Sequence, residues 1–256
     1  MRCNMQEMQS IVIDMLQATI DVCEKNNITY YCQAGTVLGA IRHKGFIPWD
    51  HDADLVIPEN EIDRFIECAA RDLPSKYYVD YYTLNPKAAR QFPRIALTGY
   101  SSNVLHLDIF RLIGLPDSEE EQIRLMENAQ ACTQKIKMRR TRYRYFIKRL
   151  DFKGLAERIA LSRTDIISLV DDFSALCKRY PYATANYVMN PSGRYGRKNI
   201  FRKEIYGAGL TVPFGSVLVR IPSEFDFYLR QYYQDYMQIP DAVVIQREMQ
   251  TIFEVK

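Results

Sequence analysis

Over its first 115 residues the chain switches repeatedly between strand-like and helix-like apolar spacing, a pattern that points to a sheet covered by helices. Met5, Met8, Val12, Met15, Leu16 and Cys23 recur at helical spacing and predict an amphipathic helix over residues 4–25, ended by Asn26-Asn27. Ile28 to Gln33 is rich in β-branched and aromatic residues and reads as a strand that stops at Gly35. Thr36 reads as the cap of a short helix, Val37 to Arg42, and Lys44 to Asp50 as a loop around Gly45 and Pro48. Asp52 to Ile57 alternates as a strand ended by Pro58. Glu59 to Leu73 then places Ile62, Phe65, Ile66 and Ala69 on one helical face. Tyr77 to Thr83, Arg94 to Thr98 and Leu105 to Phe110 are further strands.

After Pro116 only helical signals appear until about Tyr180, opening with the acidic first turn Asp117 to Glu121, which complements a helix dipole. Tyr187 to Met189 and Val217 to Ile221 read as short strands, and Ser223 as the cap of a helix reaching about Gln234. The expectation is an α+β fold: a mixed sheet flanked by helices over residues 1–115, then a helical region with short strands over 116–256 that completes the substrate site.

With 47% hydrophobic and 25% charged residues, the chain is neither disordered nor fibrous. A net charge of +3 permits an anionic ligand without requiring a nucleic acid. The six cysteines, Cys3, Cys23, Cys32, Cys68, Cys132 and Cys177, include no Cys-x-x-Cys pair, which argues for reduced thiols rather than a zinc site or disulfide framework. Glu7 and Asp14 interrupt the apolar N-terminus, so it does not read as a signal peptide. No stretch reaches the roughly 18 apolar residues of a membrane span. A cytoplasmic protein is expected, peripheral at most on the inner face of the membrane.

The chemistry concentrates in Ala34-Gly35-Thr36-Val37-Leu38-Gly39 and in the run from Arg42 to Asp54. Residues i and i+2 of a strand share a face, so Asp52 and Asp54 project together and repel unless a cation lies between them. Oxygen ligands with bridging phosphate suit Mg²⁺, with Mn²⁺ as a substitute. Asp108, among apolar neighbours in Leu105 to Phe110, needs a partner for its charge; on a strand beside Asp52 it becomes a third carboxylate. Gly35 lets the backbone approach a phosphate, and Thr36 opens a helix whose N-terminus favours anions. Arg42 and Lys44 add positive charge, and Arg94 is a further phosphate contact or a surface arginine.

Each piece has a plainer reading. A lone Asp-x-Asp is usually a solvated pair, and Gly-Thr before a helix is usually a cap. Asp108 equally fits a buried acid satisfied by backbone donors. Trp49 reads as a packing anchor, and His43 and His51 as loop residues. Their order and spacing together carry the argument.

The run Gly35-Thr36-Val37-Leu38-Gly39-Ala40-Ile41-Arg42-His43-Lys44-Gly45-Phe46-Ile47-Pro48-Trp49-Asp50 closely resembles the LicD family. So do Asp52-x-Asp54, Arg94 with Thr98, and Leu107-Asp108-Ile109-Phe110. Ile221-Pro222, Tyr228-Leu229, Tyr232-Tyr233, Asp235-Tyr236 and Pro240 look like the family's C-terminal pattern. The resemblance implies a nucleotidyltransferase-like fold. It also implies transfer of phosphocholine, or a related phospho-alcohol, from a CDP-linked donor to a hydroxyl of a glycan or lipid-linked glycan. In that reading Asp52 and Asp54 are metal ligands, Gly35-Thr36 lies against the donor phosphates, and Asp108 is a ligand and candidate general base. His51 interrupts an acidic run that the family usually keeps, Arg111 stands where a proline is frequent, and Gln234 where a glycine is common. These departures bear on donor and acceptor identity.

Two other readings compete. Transfer of NMP from an NTP to a small-molecule hydroxyl needs the same acids. A non-enzyme reading comes from Lys135 to Lys153, which holds nine basic residues and one acid. On a single helix Ile136, Tyr143, Phe146, Ile147 and Leu150 form one apolar stripe. That helix packs on the core with a solvated basic face, or it meets an anionic membrane. Nucleic acid is disfavoured, because the aromatics share the stripe instead of interleaving with the charges.

Overall fold

In the computed structural model residues 4–246 are described. The first helix, α1 (Met5–Lys25), opens with a capping box: Asn4 accepts the Glu7 N–H and the Glu7 carboxylate accepts the Asn4 N–H, both at 2.9 Å. Met8, Val12, Met15 and Leu16 form its buried face. A sheet follows, with β1 (Tyr31–Cys32), β2 (Ala53–Pro58), β3 (Tyr77–Asp80), β4 (Arg94–Leu97) and β5 (His106–Leu115) in the order β1-β2-β5-β4-β3. Only the β2–β5 pairing on this path is parallel. Between β1 and β2 lies α2 (Ala34–Arg42), and α3 (Ile62–Asp72) follows β2 through a 3₁₀ turn. The expected face of α3, Ile62, Phe65, Ile66 and Ala69, is buried.

β5 is the backbone of the molecule. Its first residues pair with β4, its middle with β2, and its last three with β6 (Tyr187–Met189), which pairs in turn with β7 (Ile200–Arg202). Between β5 and β6 run α4 (Glu119–Arg140), α5 (Tyr143–Lys148), α6 (Phe152–Ala160) and α7 (Ile166–Cys177). A second apolar core joins α4 and α7 to the far end of β5, through Leu125, Ala129, Val170 and Phe173 on Ile113 and Leu115. The hairpin β8 (Leu210–Phe214) with β9 (Val217–Ile221) and the helix α8 (Phe225–Tyr233) complete the main core. The α+β expectation holds.

Four local expectations are corrected. The strand over Ile28 to Gln33 is only two residues long. Thr36 does not cap α2, which begins at Ala34 behind Gln33; its hydroxyl accepts the Asp54 N–H instead. Ser223 does not cap α8, because its hydroxyl serves the Gly209 N–H and the Tyr206 carbonyl. The single helix over Lys135 to Lys153 breaks at Thr141-Arg142, where the backbone turns extended and the Thr141 hydroxyl bonds back to the Lys137 carbonyl at 2.8 Å. Its expected apolar stripe is therefore divided: Ile136 and Phe146 are buried, while Tyr143, Ile147 and Leu150 are exposed.

Free cysteines Cys23, Cys32, Cys68 and Cys177 are buried and Cys132 partly so; Cys3 lies outside the described residues. Among the described residues no helix is long and apolar enough to cross a membrane.

Candidate active site

Parallel pairing sets Asp54 on β2 directly opposite Asp108 on β5, so their side chains share one face of the sheet. Asp52 lies just before β2, and Asp50 two residues earlier in the loop. Asp50, His51 and Asp52 each offer a ligand atom, all within 4.8 Å of one another. The His51 Nδ1 is buried without a hydrogen-bond partner among the described residues. Burial first, and then the charges of Asp52, Asp108 and Asp50, hold the Asp54 carboxyl well above the usual carboxylate range. Asp50 is pushed up in the same direction, by burial and then by Asp52. Such crowded carboxylates, with an imidazole nitrogen lacking a partner, fit a divalent cation; the nitrogen widens the choice from Mg²⁺ towards Mn²⁺.

The first turn of α2 fixes Asp54 through its backbone. The Thr36 hydroxyl accepts the Asp54 N–H at 2.8 Å, and the Gln33 N–H donates to the Asp54 carbonyl at 2.9 Å. Ala34 takes a left-handed φ of +42°, a conformation disfavoured for a residue with a Cβ, and its N–H donates to the Tyr228 hydroxyl at 2.9 Å. That hydroxyl donates to Gln33 Oε1, Gln33 Nε2 donates to the Tyr232 hydroxyl, and Tyr232 donates to Asn199. The C-terminal tyrosines thus anchor the turn that places the acids. At Gly35 a Cβ would stand 3.2 Å from the Asp50 carboxylate, close enough to press on that acid. At Gly39 a Cβ would meet the Gly45 carbonyl at 2.4 Å, so glycine alone lets the 43–47 loop close over α2.

These acids floor a cavity of about 640 Å³. Its walls carry Trp49, Phe110, Tyr195, Tyr233 and Tyr236, with Arg42 and Arg194 as cations. Among the sequence candidates, Gly35, Arg42, Asp52, Asp54 and Asp108 come together here. Arg42 Nη1 is committed to the Tyr236 and Gln238 carbonyls at 2.9 and 3.2 Å. Thr36 is buried behind the wall. Lys44 is exposed and outside the cavity lining; its carbonyl instead accepts the Gly215 N–H. Arg94 lies on the far side of Asp108 and grips both carboxylate oxygens, at 2.5 and 3.3 Å.

Asp50, His51 and Arg194 were missed as site residues. Asp50 and His51 precede the strand, where alternation gives no facing. Arg194 arrives on the 190–195 loop; only the turn composition Asn190-Pro191-Ser192-Gly193 beside Tyr195 hinted at it. Trp49, read as a packing anchor, lines the cavity and also meets His43 edge-on.

Residues 27–155, half of the chain, match the LicD/FKTN/FKRP nucleotidyltransferase domain. The chain belongs to this family. Over 251 residues, 93% of each chain, it is 25% identical to the lipopolysaccharide cholinephosphotransferase LicD of Haemophilus influenzae (strain ATCC 51907 / DSM 11121 / KW20 / Rd). Stretches of 49 residues, 19% of this chain, are 45% identical to uncharacterized proteins of Rickettsia prowazekii (strain Madrid E) and Rickettsia typhi (strain ATCC VR-144 / Wilmington), covering 18% and 16% of them. Membership in the LicD family makes the chain a transferase, in line with the acid-floored cavity.

Proposed function

We propose that this LicD-family member transfers phosphocholine, or a related phospho-alcohol, from a CDP-linked donor to a hydroxyl of a cell-surface glycan. The observation that carries the reading is the parallel pairing of Asp54 with Asp108 on the floor of a cavity that also holds Asp50, His51 and Asp52. Asp52, Asp54 and Asp108, joined by Asp50 and His51, are the residues to hold Mg²⁺ or Mn²⁺. When bound, the cation neutralises charge on the donor diphosphate.

The chain's own residues account for the rest. Gly35 gives backbone access beside the acids, and Arg194 offers a charge-assisted contact to a phosphate oxygen. Aromatic faces from Trp49, Tyr195, Tyr233 and Tyr236 suit a cytosine ring and a trimethylammonium group, which favours choline among the alcohols. The acceptor hydroxyl forms a bond to the phosphorus bearing the alcohol, and the bond from that phosphorus to the bridging oxygen breaks, releasing CMP. Arg94 holds Asp108 through both oxygens, which suits an oriented carboxylate better than a base. Asp52 and Asp108 both line a second cavity beside this one, and of the two Asp52 is free of the Arg94 guanidinium, so it is better placed to receive the hydroxyl proton.

Peripheral attachment to an anionic membrane forms part of the proposal. Around α5 and α6, Tyr145, Ile147, Leu150 and Phe152 are exposed beside the exposed cations Arg142, Arg144, Arg149 and Lys153. Apolar side chains among basic ones match a lipid interface.

The donor is tested by incubation with CDP-choline, CDP-ribitol and CDP-glycerol in the presence of a glycan acceptor. CMP release is expected, fastest from CDP-choline. Pyrophosphate release from an NTP, with no CDP-alcohol consumed, would replace this reading with nucleotidyl transfer.

A further inference from the structure

On the other side of Asp52 and Asp108 opens a second cavity, of about 890 Å³, and its character is opposite. The last turns of α4 close it, bringing Lys137 and Arg140 to face Arg90 and Arg94. Arg90 is 7% exposed and is held in place by Asn103 Oδ1 at 2.7 Å and Ser102 Oγ at 3.3 Å, with Asp80 Oδ2 at 3.4 Å. Arg94 is spent on Asp108. No carboxylate lies within ion-pair distance of Lys137 or Arg140 among the described residues. The arginines also press on one another. Arg90 is brought down to about 10, by burial and then by Arg94 and Arg140, and Arg140 moves down for the same two kinds of reason. Two polar atoms in this lining, His106 Nδ1 and Thr133 Oγ1, are buried with no hydrogen-bond partner among the described residues. Uncompensated cations and unpartnered polar atoms around one cavity are what an oxyanion would satisfy.

We propose that this cavity is the acceptor pocket, and that the acceptor carries a phosphate or carboxylate group that Arg90, Lys137 and Arg140 bind beside the reacting hydroxyl. The inference rests on the transfer reading above. A donor lying over Gly35 and the acids meets an acceptor entering from the basic side at Asp52 and Asp108, the carboxylates that both cavities share. Selection follows from charge: a neutral sugar leaves Lys137 and Arg140 unpaired, whereas an anionic one pairs them. Lys137 and Arg140 thus act in specificity and Arg90 as the buried anchor.

Titration calorimetry with the full chain and Mg²⁺ tests this, using glucose, glucose 6-phosphate and glucuronate as acceptor probes and CDP-choline as the donor probe. Glucose 6-phosphate, glucuronate or both should bind more tightly than glucose, and which of the two binds tells phosphate from carboxylate. The double variant Lys137→Gln/Arg140→Gln alters exposed side chains and should fold; loss of two charge-assisted contacts should weaken the anionic probe by about tenfold or more. Its CDP-choline affinity should stay within about twofold of the unaltered protein. If the variant loses CDP-choline and keeps the anionic sugar, the cavity holds the donor and the proposal fails. It fails equally if neither anionic probe binds better than glucose. Anion binding that depends on Lys137 and Arg140, found together with no CDP-choline binding, upholds the pocket and sinks the donor assignment instead.

Discussion

Arg111 stands in the middle of the protein with 2% of its surface exposed. Its Nη1 donates to Glu59 Oε1 at 2.7 Å and its Nη2 to the Tyr81 hydroxyl. Burial pushes Glu59 up although Arg111 pulls it down, so the pair survives only while both members are present. Arg111→Ala should cost about 3–5 kcal/mol in a urea unfolding experiment, because it leaves Glu59 buried and unpaired. The double change Arg111→Met/Glu59→Leu should recover most of that loss, and no recovery would show that the guanidinium matters for something other than Glu59. Asp54 is the opposite case, a carboxyl set beside other acids with no cation gripping it among the described residues. Folded Asp54 binds its proton more tightly than the unfolded chain does. Its contribution to stability is complete below the ordinary carboxylate range and drains away as pH rises through the raised value. Asp54→Asn should therefore melt higher than the unaltered protein in EDTA, with a gap that opens as pH rises above the ordinary carboxylate range. The same variant should lose at least about 10²-fold in turnover. A melting difference that is flat with pH would mean that Asp54 carries no such proton.

At the scale of elements, periodicity located α1 and α3, whose apolar faces lie in the main core, β2 within the sheet, and the helical stretch from α4 to α7, of which α4 and α7 pack on the end of β5. Two strands escaped it. β7 is three residues long, too short to show alternation, and in β8 the alternating Leu210, Val212 and Phe214 are masked by Pro213, a residue that argues against a strand. Hydroxyl residues misled in the same physical way twice: Thr36 and Ser223 sit at helix starts, yet other elements claim their oxygens. The basic stretch misled because helical spacing cannot announce that Thr141 will leave the helix. That break has a consequence. It separates Lys137 and Arg140, which line the second cavity, from Arg144, Arg149 and Lys153, which surround Leu150 and Phe152, each 72% exposed. Each cation near an anionic bilayer adds about 1 kcal/mol, screened by salt. Arg144→Glu/Arg149→Glu/Lys153→Glu should abolish flotation with phosphatidylserine vesicles and slow turnover on a lipid-linked acceptor, while a soluble acceptor is still used. If the unaltered protein stays at the bottom of the gradient at low salt, the α5–α6 surface meets water alone.

Across the whole molecule, β5 joins two otherwise separate functions: its start supplies Asp108 and its end carries the α4–α7 core. Sequence spacing put Asp52 beside Asp54, two residues apart, but brought Asp108 to them only on the condition that its strand is a neighbour, which the parallel β2–β5 pairing meets. It could not place Arg194 or the Tyr228–Tyr232–Gln33 network, whose members meet across more than half of the chain. An acidic cavity and a basic one share Asp52 and Asp108, which under the proposed transfer would give donor and acceptor separate approaches to one set of carboxylates. The central claim is that those carboxylates work by holding a divalent cation against the donor diphosphate. The direct measurement is CMP release from CDP-choline, in the presence of acceptor, by protein stripped with EDTA and then resupplied with Mg²⁺ or Mn²⁺. Release should vanish in EDTA and return with either cation, and Asp52→Asn should fail to recover at saturating metal. CMP release that continues unchanged in EDTA would contradict the account.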